Sequence, residues 1–321
     1  MSSLTRFKFL IKMRKLIFLI QLLVILAGCR QSGLKPNYST PPFIIDSHTH
    51  YTATDEWEKS FVEVYTRHNA MACLLIDMED IDRGIAFAKA HPDRVIPYAA
   101  VDIDSPTITE DILKVHAMGY KGLGELFAKG DWDYNDPKYD TIWSQAETLG
   151  MPIAPHTGNL INGMMAHLRP SFLADIAANH PNLIIHGAHF GNPWYEEAAE
   201  ATRRNKNLYF DLSGSSLIKK ENDPGYWAQW LWWTDAIGKS HMPKNAVPAW
   251  EKMLFATDED PEAFEENIRR FNKVLDACNV SQETREKCYG LTMAKIFGIH
   301  PNTFLFLDID SALKLKDKSI K

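Results

Sequence analysis

Phe43 to Tyr51 reads Phe-Ile-Ile-Asp-Ser-His-Thr-His-Tyr, an apolar run that passes straight into Asp46, His48 and His50. In an extended chain alternate side chains share a face. The three polar side chains are therefore expected to point together from the end of a buried strand. Two neighbouring imidazoles suit a divalent cation, because neutral histidine is a good ligand for zinc-like ions. Other chemistry-bearing residues also follow short apolar runs. Glu125 ends Tyr120–Glu125, His156 ends Pro152–His156, His189 ends Leu183–His189, and Asp258 ends Met253–Asp258.

The spacing of these runs predicts the frame that carries them. Strands are expected at 43–47, 71–77, 94–101, 120–125, 152–156, 183–189, 208–213 and 253–258. Helical periodicity fills 57–69, 80–91, 107–118, 138–148, 170–180, 195–204 and 261–276, with short helices at 281–290 and 291–298. Continuous apolar runs such as Met71–Ile76 are typical of parallel strands buried on both faces. Eight strand–helix units in one domain predict an α/β fold, a (β/α)8 TIM barrel spanning 43–300. An open doubly wound sheet is the alternative, but no glycine-rich phosphate loop follows the first strand. In such a barrel, groups at the C-terminal ends of strands share one mouth.

One connection breaks the rhythm. Between strands seven and eight lies an aromatic-rich insertion with Tyr226, Trp227, Trp230, Trp232, Trp233 and Trp250. Connections this long are functional or carry structure of their own. The segment reads as a lid, a subunit contact or a small helical core, and homo-oligomerisation stays open.

The first 28 residues stand apart. Arg6, Lys8, Lys12, Arg14 and Lys15 precede the apolar run Leu16–Ala27, which is too short to span a bilayer. The run ends Leu26-Ala27-Gly28-Cys29, which resembles a bacterial lipobox; cleavage before Cys29 and its lipidation are expected. Residues 29–42 read as a tether and 301–321 as a tail. The protein is then an exported lipoprotein, periplasmic or attached to the outer membrane through its lipid. Without the five leader cations the net charge goes from −6 to −11. Such an acidic body argues against a nucleic-acid partner. Cys73 reads as a core residue, while Cys278 and Cys288 could pair in an oxidising compartment.

Asp-x-His-x-His after the first strand, lone histidines ending strands five and six, and Ala256-Thr257-Asp258 ending strand eight resemble the amidohydrolase superfamily. The nearest branch is similar to the amidohydrolase-related (type 2) proteins, which include metal hydrolases and decarboxylases such as aminocarboxymuconate-semialdehyde decarboxylase. His189-Phe190-Gly191 resembles that branch's strand-six motif, and Thr292–Ile299 its closing helix, with Thr292 where asparagine is usual. The resemblance implies His48, His50, His156 and Asp258 as ligands of one divalent ion, zinc by default with manganese or iron as alternatives. It also implies His189 as the catalytic histidine. Asp258 can take a proton from the water as general base, and His189 can stabilise an oxyanion. Asp46 is expected to orient a ligand from behind.

Glu125 is open between bridging a second ion, binding substrate and pairing in a salt bridge, with Lys121 deeper on the same strand face. His186 is expected to face outward, having opposite parity to His189. The loop after His156 offers Asn159, Asn162, His167 and Arg169, of which Arg169 could clamp a substrate carboxylate. Trp132, Tyr134, Asp211 and Ser213 are further mouth candidates. The resulting expectation is a metal-dependent hydrolase of a small molecule with an amide, ester or lactone bond. A non-oxidative decarboxylase is the first alternative and a non-catalytic binding lipoprotein the second.

Overall fold

The computed structural model describes residues 43–130, 132–159, 165–214 and 249–301. The leader, Cys29 and its tether, Asn162, the tail from 302, and 215–248 with most of the aromatic insertion lie outside them. Of that insertion's tryptophans, Trp250 is described and is buried in the core.

Eight parallel strands pair in chain order. They are β1 (Ile44–His50), β2 (Ala70–Asp77), β3 (Val95–Ala100), β4 (Gly122–Leu126), β5 (Ile153–Pro155), β6 (Ile185–Gly187), β7 (Leu208–Asp211) and β8 (Met253–Leu254). The cylinder is drawn together where Ser47 N–H donates to Phe255 O and Asp258 N–H donates to His48 O, at 2.9 and 2.8 Å. The fold is the expected (β/α)8 barrel.

Seven helices follow strands or their loops: α1 (Asp55–Arg67), α2 (Ile81–Ala90), α3 (Ile108–Met118), α4 (Asp140–Leu149), α5 (Pro170–Asn179), α6 (Tyr195–Arg204) and α7 (Phe264–Ala277). Local chemistry sets their ends. Thr54 caps α1 by accepting from Trp57 N–H, and Pro170 opens α5. Gly119, at φ 108°, ends α3 in the left-handed region that costs glycine least. Two short helices, α8 (Gln282–Glu286) and α9 (Thr292–Phe297), flank a π-helical turn at Lys287–Leu291.

Strand alternation divides the core into two layers. Phe43, Ile45, Met71, Cys73, Leu75, Ile96, Tyr98, Ala154 and Leu254 fill the barrel, where Met293, Ala294 and Ile299 join them. Ile44, Ala70, Ala72, Leu74, Ile76, Ile153 and Ile185 face the helices instead. Cys73, Cys278 and Cys288 are free and buried; the Cys288 thiol contacts Trp250 O at 3.0 Å.

Alternation fails at three places, and all lie at the mouth. The β4–β5 register shifts between Gly124 and Leu126, around Glu125. The β1–β2 register shifts between Asp46 and Thr49. After β6 the chain turns through positive φ at His189 (65°) and Phe190 (46°). Among the described residues no helix is long and apolar enough to cross a membrane.

Candidate metal centre

Glu125, at the end of β4, is the hub of the mouth. Its Oε1 lies 2.6 Å from His156 Nδ1 and 3.3 Å from His189 Nε2. Its Oε2 lies 3.7 Å from His48 Nε2 and 3.5 Å from His50 Nε2. The two β1 imidazoles face each other, Nε2 to Nε2, at 3.3 Å. Asp258, held at φ 51° just beyond β8, brings Oδ1 within 3.5 Å of both of those nitrogens. Three potential ligand groups result: His48–His50–Asp258, Glu125–His156–His189 and His48–His189–Asp211. His156 meets the β1 pair through Glu125, and its Nε2 lies 3.3 Å from Asn159 O.

The outer nitrogens reveal which way each ring is wired. His48 Nδ1 faces Asp211 Oδ2 at 3.3 Å, and His189 Nδ1 faces the Ser213 carbonyl at 2.8 Å. Both partners are acceptors, so each Nδ1 carries the hydrogen and each Nε2 turns toward Glu125. The Nε2 atoms and the carboxylate thus converge, and either a proton on each ring or a cation between them must relieve the repulsion.

Charge gives the same requirement. Among the described residues, the ion-pair partners of Glu125, Asp211 and Asp258 are all histidines. Burial alone would push the Glu125 carboxyl up. The charge of His48 and hydrogen bonds from His156, His189 and His50 instead hold it well below the usual range. Asp211, also opposed by burial, is held at about 2 by its hydrogen bond to His48 and the charges of His48 and His189. Burial would lower His48, yet the negative charge of Glu125, with Asp211 and Asp258, raises it to about 10. His189 moves the same way, its burial outweighed by Glu125. Protons supply the missing positive charge where a divalent ion does not. Imidazole and carboxylate donors in this number fit a zinc, manganese or iron ion.

Several expectations from the sequence are corrected. Asp46 does not share the face of His48 and His50, because the register shift falls between them. Its Oδ1 accepts from the backbone N–H of His48 and Thr257, both at 3.1 Å. Its Oδ2 accepts from Tyr65 OH and Thr257 Oγ1, both at 2.7 Å. The carboxylate behind a ligand ring is Asp211, which the sequence had offered at the mouth as a substrate contact. Placement at the end of β7 was the available signal.

His186 points into the barrel rather than outward. Ile185 packs on the helix side, and the tight turn at 188–191 breaks the parity that linked His186 to His189. Its ring lies 5.3 Å from that of Tyr98, and burial lowers it to about 4, so it is neutral at pH 7.

The substrate-side candidates also change. Arg169 clamps the carboxylate of Glu197 on α6 and stacks over Trp194, so its fork is engaged within its own chain. Asn159 is exposed, and its backbone N–H donates to Asn192 O at 2.7 Å. Lys121 is exposed ahead of β4. Buried Tyr134 donates its hydroxyl to Leu126 O and His156 O, at 2.7 and 2.9 Å, and so ties the ends of β4 and β5 together. His167 Nδ1 lies 2.6 Å from Asp133 Oδ1, linking the loops that follow those strands. Trp132 is exposed, with the Lys138 ammonium 4.8 Å from its ring.

The barrel and its mouth define a class that sequence comparison also recovers. The amidohydrolase family model Amidohydro_2 matches residues 76–299. The chain belongs to that family and is an enzyme of it. The match begins after β1 and does not cover His48 and His50, which rest on their own motif and on the geometry of the mouth. No curated protein matches the sequence.

Three solved structures illustrate the likeness in fold. A probable 2-pyrone-4,6-dicarboxylic acid hydrolase from Acinetobacter baumannii is 14% identical, with TM-score 0.54 over 80% of this chain and 99% of that one. 5-Carboxyvanillate decarboxylase from Sphingomonas paucimobilis is 12% identical, with TM-score 0.54 over 81% and 100%. A dihydroxybenzoic acid decarboxylase from Polaromonas sp. JS666, with bound manganese and 2-nitroresorcinol, is 13% identical, with TM-score 0.53 over 80% and 97%.

Proposed function

We propose that the protein is a metal-dependent hydrolase that cleaves an amide, ester or lactone bond of a small molecule. The observation that carries this reading is the convergence of His48 and His50 on both Asp258 and Glu125, the latter also contacting His156 and His189. In this reading His48, His50, His156 and Asp258 hold one zinc ion, with Glu125 joining them or holding a second ion beside His156. A bound divalent ion supplies Lewis acidity, which lowers the pKa of water from about 15.7 toward 7.

The chain's own groups do the remaining work. Asp258, less buried than Glu125, accepts a proton from the attacking water and passes it to the leaving group. His189, fixed through Nδ1 by Ser213 O and favoured as the imidazolium by the neighbouring Glu125, carries a second proton on Nε2 and donates it in a hydrogen bond to the developing oxyanion. Glu125 holds the His156 and His189 rings in place.

We further propose that the chain is exported and acylated on Cys29. The basic front, the short apolar run and Leu26–Cys29 support this. Export favours hydrolysis of a scavenged compound over processing of a cytosolic intermediate. Decarboxylation is the second reading, supported by decarboxylases among the similar folds, one with bound manganese.

Metal analysis of the purified protein should find about one zinc per chain, and His48→Ala should lose it. Turnover in 18O-labelled water should place the label in the product; carbon dioxide release without label would overturn the hydrolase reading. His189→Ala should keep the metal and lose activity. Mass spectrometry of the mature N-terminus should find diacylglycerol on Cys29.

A further inference from the structure

The end of β7, Asp211-Leu212-Ser213, is buried behind the metal centre. Asp211 uses its two oxygens differently. Oδ2 faces His48 Nδ1 at 3.3 Å. Oδ1 accepts from three donors: His189 N–H at 3.0 Å, Ser213 N–H at 2.9 Å and Ser213 Oγ at 2.6 Å. The same turn presents Ser213 O to His189 Nδ1. One carboxylate therefore touches the ring of one inward-facing histidine and the backbone of the other.

We infer that Asp211 is the positioning residue of the centre: it keeps the hydrogen of His48 on Nδ1, leaving the Nε2 lone pair for the ion, and anchors the turn that aims His189. This rests on the reading of the site as a metal centre. Partners of this kind fix ring orientation and tautomer, and removing one costs about 10–100-fold in metal affinity.

The wiring makes one substitution diagnostic. In Asp211→Asn the three donors on Oδ1 need an acceptor, so the amide oxygen stays there. The amide NH2 must then face His48 Nδ1. That nitrogen becomes an acceptor, and the ring hydrogen moves to Nε2, where the ion should bind. The amide preserves size and three of the four contacts while inverting the tautomer, the logic by which an aspartate-to-asparagine change disables a serine-protease triad.

The experiment uses the full chain stripped of metal and titrated with Co2+ alone, followed by visible absorption, with 15N spectra of the imidazoles recorded on the zinc-loaded form. The wild type should bind cobalt, with His48 protonated at Nδ1. Asp211→Asn should melt close to wild type, bind cobalt about 10–100-fold more weakly, and no longer show His48 with its hydrogen on Nδ1 in the zinc-loaded spectrum. Asp211→Glu, which keeps the charge, should recover part of the affinity.

Equal cobalt affinity in Asp211→Asn, or a His48 tautomer unchanged by the substitution, would overturn the inference. If Asp211→Asn does not fold, the 15N spectrum of the zinc-loaded wild type still decides it: His48 carrying its hydrogen on Nε2 there refutes the assignment. Failure of the wild type to bind any cobalt would instead strike the metal-centre reading itself.

Discussion

Thr257 donates its hydroxyl to Asp46 across the seam between the first strand and the end of the last, at 2.7 Å and without solvent access. Tyr65 OH and the backbone N–H groups of His48 and Thr257 complete the shell. Burial nevertheless wins over these four hydrogen bonds and raises the Asp46 carboxyl from 3.8 to about 6.

That shift has a testable sign. Between pH 3.8 and about 6 the folded chain keeps a proton on Asp46 that the unfolded chain releases. Its contribution to stability is full below the unfolded value and is lost as pH rises through the folded one. Asp46→Asn carries no such dependence. In chemical denaturation the variant should therefore gain on wild type between pH 4 and 7, by about 3 kcal/mol if the shift is fully expressed. A constant difference across that range would contradict the assignment. Asp46→Ala should be worse than Asp46→Asn at every pH, because it leaves four donors buried without an acceptor.

Metal removal should expose the opposite end of the pH scale. In the metal-free chain His48 is raised to about 10 and His189 is raised with it. Folded values above the unfolded one give stability that is complete below about pH 6.5 and lost as pH climbs through the folded values. The Tm of stripped protein should fall across this interval, while the loaded form, whose ligand rings are neutral, should fall less. Thermal melts of both forms from pH 6.5 to 9.5 check this; parallel curves would count against the centre as described.

Gly214 supplies a steric test. It sits at φ 60°, and a Cβ there would lie 2.6 Å from His189 Nδ1 and 2.8 Å from Asp258 Oδ2. Gly214→Ala should displace one of the two, reducing turnover at least tenfold, while left-handed backbone strain costs about 1–2 kcal/mol of stability. Steady-state kinetics beside a thermal melt separate these effects. Full activity would show that neither group needs its present position.

Tyr134→Phe removes the donor shared by Leu126 O and His156 O, both carbonyls flanking site residues. Leu126 O keeps the His156 N–H at 2.9 Å, so the loss falls on His156 O, and it should cost about 1–3 kcal/mol. Activity should drop together with Tm, and a variant as stable as wild type would remove Tyr134 from the frame of the centre.

Hydrophobic period is a local property, and it was enough to place every strand, the seven larger helices and the polar residue ending each site strand. Continuous apolar runs such as Met71–Ile76 announced parallel strands, and barrel geometry then gathered Glu125, His156, His189 and Asp258 at one mouth without reference to coordinates. What tertiary structure alone decided was orientation. The slip in β1 turned Asp46 toward Tyr65 and left His48 to Asp211, and the positive-φ turn at His189 sent His186 into the barrel. Arg169 looked free until α6 brought Glu197 beside it. A ring nitrogen or a carboxylate oxygen takes its direction from partners tens to hundreds of residues away, and no periodicity along the chain encodes them.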